Sequence, residues 1–102
     1  MFVRMSAWKC SPDYWGEDSK LFESGAVKIM QKHKGFIQAM LLAKPNDTER
    51  IAFTIWESVD DYKDFVASPD LDKIIDMFSH MYLKGGSPKP TEYEVRAKSN
   101  SI

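Results

Sequence analysis

The chain predicts an α+β fold, with four strands and two helices in the order β-α-β-β-α-β. Three observations carry that reading. β-Forming runs occur at 2–9, 36–43, 50–56 and 91–97. Stretches with helical apolar spacing lie between the first and second runs and between the third and fourth. Turn formers separate the pieces: Gly35, "KPNDTE" and "KGGSPKP".

Each element has its own justification. Alternation along Phe2–Lys9 puts Val3, Met5 and Ala7 on one face and Arg4, Ser6 and Trp8 on the other. Ser11 before Pro12 suits a capped short turn. A helix is expected over 17–33, where Phe22, Ala26, Ile29, Met30 and His33 share a face. "KHKG" is its stop: cations favour the negative helix end, and Gly35 takes the left-handed conformation. "FIQAMLLA" (36–43) is the second strand and "RIAFTIW" (50–56) the third. In the third, Ile51, Phe53 and Ile55 form the apolar face, opposite Ala52, Thr54 and Trp56. Ser58 followed by Asp60 and Asp61 starts the next helix, and Ser68-Pro69-Asp70 restarts it. Leu71, Ile74, Ile75, Phe78 and Met81 are its buried stripe. "TEYEVRA" (91–97) is the last strand, and Arg4 and Arg96 are placed to meet Glu94. The domain is expected to span 1–98, with a polar tail at 99–102.

Composition narrows the function classes. With 43% hydrophobic and 28% charged residues, the chain reads as one ordinary globular domain. A net charge of −1 supplies no basic field for a phosphate backbone, so nucleic acid is not an expected partner. Cys10 is the one cysteine, and His33 and His80 lack ligand-like spacing, so no metal site is expected. "MFVRMSAWKC" lacks the apolar run of a leader, and no stretch approaches the roughly 18 apolar residues of a membrane span. A cytoplasmic location is the expectation.

The element order predicts a four-stranded antiparallel sheet in the spatial order 4-1-3-2, both helices on one face, in the ferredoxin-like manner. The other face then needs a cover. Trp8, Trp56, Ser6, Thr54 and Ala52 are assigned to it, and a partner sheet is the expected cover. With the first and third strands taken as parallel neighbours, Trp8 and Trp56 are expected side by side at one end of that face.

"GFIQAMLL", the turn, "RIAFTIWES", "DYKDFVASPDL" and the closing "TEYEV" together resemble the antibiotic biosynthesis monooxygenase domain family. The similarity covers nearly the whole chain, and the W-E-S corner and F-x-x-S-P-D segment carry most of it. The resemblance implies a dimeric α+β barrel, sheet against sheet, with a pocket between sheet and helices in each subunit. It also implies a cofactor-independent monooxygenase acting on an aromatic, quinol or polyketide-like molecule. The alternative is a non-catalytic small-molecule-binding or structural dimer.

In the quinone-forming branch of that family, an Asn, a Trp, a Tyr and an Arg serve the reaction. Trp56 and Tyr62 match two of them; Ala52 and Asp76 stand where the Asn and Arg belong. The haem-degrading branch uses an Asn, a Trp and a His where this chain carries Ala7, Phe65 and Ile75, so neither haem nor another cofactor is expected. The candidate substrate-binding residues are Trp56, Trp8 and Tyr62, and the candidate catalytic residues are Tyr62 and His80. Each has a plainer reading. Trp56 at a strand end also suits packing, and Tyr62 lies at core spacing with Phe65 and Val66. His80 can pair with Asp76 four residues earlier, although a near-neutral pKa suits phenol deprotonation.

Overall fold

The computed structural model describes residues 1–99, so the tail, apart from Ser99, lies outside the described residues. Strands β1 (Phe2–Lys9), β2 (Phe36–Ala43), β3 (Glu49–Trp56) and β4 (Lys89–Glu94) form one antiparallel sheet in the order β2-β3-β1-β4. That is the expected order, read from the opposite edge. β4 starts two residues earlier than expected and stops at Glu94. It stops there because β1 runs out: Phe2 pairs with Glu94, and the Val95 N–H then bonds the Met1 carbonyl. Pro90 fits because β4 is an edge strand. Arg96 meets Glu94 at 3.8 Å in an exposed pair, whereas Arg4 lies opposite Glu92.

The helical layer starts with helix α1, residues 17–30, in three consecutive pieces: Glu17–Leu21, a wider π turn Phe22–Ala26, and Val27–Met30. It is three residues shorter than the 17–33 expected. The π turn contains Gly25, where an added Cβ would sit 2.7 Å from the Met77 sulfur. A larger residue at this position would have to displace the end of the Met77 side chain. Gly35 stops the segment at φ +82°, and a Cβ there would clash with the Asp61 side chain. Helix α2 (Val59–Ala67) begins where expected, with the Ser58 hydroxyl accepting from the Asp61 N–H at 3.1 Å. Ser68 repeats the device for α3 (Pro69–Phe78), accepting from Asp70 N–H at 3.3 Å. Among the described residues no helix is long and apolar enough to cross a membrane.

Two expectations about the sheet are corrected. β1 and β3 are antiparallel, not parallel. The α1 crossover returns β2 alongside the direction of β1, and the β2–β3 turn then reverses the chain, so β3 must run against β1. Trp56 consequently lies opposite Phe2, while Trp8 lies opposite Arg50. The two tryptophans occupy opposite ends of the sheet.

The faces are also exchanged. Trp8, Trp56, Ser6 and Thr54 are buried, and both tryptophans belong to the core beneath the helices with Phe22, Phe65 and Phe78. The face left open carries Val3, Met5, Ile51, Phe53 and Ile55, flanked by exposed Met40, Leu42 and Tyr93. Alternation sorts side chains into two sets. It does not say which set the helices cover.

Candidate functional site

Between sheet and helices lies a cavity of about 70 Å³. β1 and β3 supply its floor: Arg4, Ser6, Trp8, Ala52 and Thr54. Arg4 and Thr54 are register partners, as are Ser6 and Ala52, so these four form a compact square. Helix α1 contributes Phe22 and Met30 to the wall and α2 contributes Phe65. Helix α3 contributes Leu71, Ile74, Ile75 and Phe78. The walls are thus aliphatic and aromatic, and polar groups are concentrated on the floor. That is the usual composition of a small-molecule site.

Aromatic contacts set the shape. Trp8 meets Phe78 and Tyr82 edge-on, at 5.7 and 5.4 Å between centroids. Burial pushes the Tyr82 phenol up to about 12, and its hydroxyl donates to the Ile75 carbonyl at 3.3 Å. Trp56 is fully buried, stacks on Phe65 at 4.7 Å, and donates its indole N–H to the Thr54 hydroxyl oxygen at 3.1 Å. Tyr62 accepts a hydrogen bond from the Arg4 guanidinium at 3.1 Å. Burial raises the Tyr62 pKa and the nearby Glu92 carboxylate raises it further, against the opposing effect of Arg4.

Neither family models nor curated proteins give a match. Solved structures do. The ActVA-Orf6 monooxygenase of Streptomyces coelicolor, in complex with nanaomycin D, superposes with a TM-score of 0.81 at 21% identity, over 99% of this chain and 92% of that one. SnoaB, a cofactor-independent oxygenase from Streptomyces nogalater, gives 0.74 at 14% identity over 95% and 94%. The heme-degrader MhuD of Mycobacterium tuberculosis, with two hemes in its active site, gives 0.71 at 17% identity over 98% and 100%. The chain has the antibiotic biosynthesis monooxygenase fold. Within this fold the neighbours are described by different chemistries, so the reaction must be argued from the side chains.

The antibiotic biosynthesis monooxygenase fold places the four nominated residues unequally. Trp8 lines the cavity. Trp56 and Tyr62 are not among its lining residues but stand one layer behind, each bonded to a polar group that is: Trp56 to Thr54, Tyr62 to Arg4. His80 is exposed on the short turn Ser79–Met81 after α3, its ring perpendicular to Tyr14 at 5.1 Å. The expected His80–Asp76 pair is not among the described hydrogen bonds, and the Ser79 hydroxyl donates to the Asp76 carbonyl instead. Cys10 is fully buried, and its thiol is pushed up by burial and by Asp18, so it stays protonated. The resemblance leaves an Asn position at Ala52, and the structure sets that residue's methyl group in the cavity floor.

Sequence reasoning overlooked two features. Arg4, Ser6 and Thr54 were not nominated as site residues, because their face was assigned to the wrong side of the sheet. The available signal was the mixture itself, since hydroxyls and an arginine alternating with bulky aromatics suit a lined cavity. The second feature is the buried pair Arg50–Asp18 at 2.7 Å. Arg50 also donates to the carbonyls of Asp47 and Glu49, and its guanidinium lies 5.4 Å over the Trp15 ring. Burial alone would raise the Asp18 pKa. The bond from Arg50 and the backbone N–H groups of Gly16 and Ser19 outweigh it and hold the carboxyl below its ordinary value. The pair fastens the start of α1 to the hairpin strand. Nothing in its 32-residue separation announces it.

Proposed function

We propose that this protein is a cofactor-independent monooxygenase acting on an aromatic, quinol or polyketide-like small molecule held in the cavity between sheet and helices. The observation that carries this reading is the cavity's make-up: aromatic and aliphatic walls over a floor with few polar groups. Such a site excludes water from a flat apolar ring system and offers hydrogen bonds at one side only. In the simplest case an activated ring CH₂ becomes a carbonyl. One atom of O₂ enters the C=O group, and the other leaves as water with the two hydrogens. The ligand's own electrons reduce the oxygen, so the reaction balances without a redox cofactor.

In this reading Trp8 packs directly on the rings. Trp56 and Tyr62 are positioning residues, the first holding Thr54 and the second Arg4. His80, the other residue expected to be catalytic, is exposed and outside the cavity lining, and this reading gives it no step. The open sheet face, with exposed Met40, Leu42 and Tyr93 beside Phe53, is the surface we assign to a homodimer contact. A second reading, a non-catalytic binding protein of the same fold, draws support from Ala52, whose methyl cannot hydrogen-bond a substrate oxygen.

Anthrone oxidation in air, followed by absorbance, decides between the two. Under the oxygenase reading the rate rises at least about tenfold over spontaneous oxidation and vanishes without oxygen. A rate unchanged by the protein overturns that reading. Anthrone that binds without turnover leaves the second.

A further inference from the structure

The cavity floor has a chemical bias that the apolar walls conceal. Its polar groups are all able to donate. Arg4 has five N–H groups, and the one bonded within the described residues goes to Tyr62. Among the described residues Arg4 makes no ion pair; its register partner on β4, Glu92, lies beside the Tyr62 hydroxyl and offsets part of the Arg4 charge without bonding the guanidinium. The Thr54 hydroxyl oxygen already accepts from Trp56, which leaves its O–H to donate elsewhere. Ser6, 7% exposed, lines the same cavity, and its hydroxyl enters no side-chain hydrogen bond among the described residues. These three side chains come from adjacent positions of two paired strands: Arg4 opposite Thr54, and Ser6 two residues along from Arg4.

We infer that the ligand carries an anionic oxygen on an aromatic framework, a phenolate, enolate or carboxylate, and that Arg4 is its charge partner, with Ser6 and Thr54 donating to the same oxygen. A cation facing a low-polarity cavity favours an anion more than it would in water, because little solvent competes for either charge. Tyr62 acts through Arg4: by accepting one guanidinium N–H it fixes the plane of the group, and the others remain free for the ligand. Asp76, where the resemblance expects an arginine, supplies no cation from the helix, so β1 is the source of positive charge at this cavity. The inference rests on the ligand-binding reading above and adds to it the charge of the ligand.

Two isosteric probes separate the charge claim from the binding claim. 2-Naphthoate and 2-naphthamide have nearly the same shape and differ in charge at neutral pH. Titration calorimetry on the intact protein should give at least about tenfold tighter binding of the naphthoate, and Arg4→Met should bring the ratio close to one while retaining the naphthamide. Arg4→Lys should keep part of the preference. Equal binding of the two probes by the wild type overturns the inference and leaves the aromatic site standing. Equal weakening of both by Arg4→Met also overturns it, since Arg4 then serves only the cavity's shape. Binding of neither probe sinks the inference together with the aromatic-ligand reading. Should Arg4→Met fail to fold, the wild-type ratio alone decides.

Discussion

The two faces of the sheet are built from the same strands and meet opposite fates. The covered face mixes Trp8, Trp56 and Phe36 with Arg4, Ser6 and Thr54, and the helices close over it. The open face is the more uniformly aliphatic, with Val3, Met5, Ile51 and Ile55, yet among the described residues no helix lies on it. The difference teaches that apolar content does not mark the inside. The face under the helices needs bulk to fill the space between layers, and it needs polar groups where a cavity remains. The open face needs only to be flat and dry enough for another surface.

The largest effect should come from the covered face. Trp56→Ala removes a fully buried ring stacked on Phe65 and strands the Thr54 hydroxyl, so unfolding free energy should fall by about 4 kcal/mol. Chemical denaturation measures it, and a loss below about 1 kcal/mol would contradict the packing described here.

Next comes the fastening at the Trp8 end. Asp18→Asn leaves the Arg50 charge buried without its partner, and should cost about 3 kcal/mol at neutral pH. The folded pKa of Asp18 is depressed, so its contribution is present above the ordinary carboxylate value and is lost as pH falls through the folded one. The wild type should therefore lose stability on acidification below pH 4, and the variant should lose less over the same range. Parallel acid limbs in melting experiments would show that the pair does not govern this window.

The open face offers the opposite contrast. Phe53→Lys should change the stability of a folded monomer by no more than about 1 kcal/mol, because the side chain is only partly covered within the chain. Its effect should appear in association instead: the wild-type protein should sediment as a dimer at micromolar concentration, and the variant as a monomer. A wild type that sediments only as a monomer would remove the proposed contact. Smallest of all should be His80→Ala. The residue is exposed and off the cavity lining, so oxidation of a turned-over substrate should stay within about twofold of wild type. A hundredfold loss would restore His80 as the general base.

Much of this was legible in the chain. Strands β2 and β3, the Ser58 and Ser68 caps and the Gly35 stop were each readable, because alternation, cap chemistry and left-handed glycine act over a few residues. The candidate site was legible only in pieces. Trp8, Trp56 and Tyr62 were singled out, but their ranks were not: Trp8 lines the cavity, and the other two are hydrogen-bonded to Thr54 and Arg4, which also line it. Arg4 itself had been matched to an acid on β4, since a residue's role on a strand depends on which layer lies above it.

The sequence by itself determined the order of elements, their approximate ends and the sorting of each strand into two sets of side chains. Only the tertiary structure decided which set the helices cover, that Trp8 and Trp56 lie at opposite ends, and that Arg50 reaches Asp18. Local signals record the conformation of a few neighbouring residues. Facing, register and long-range pairing are settled by the packing of whole layers, where many small contact energies sum over residues far apart in the chain.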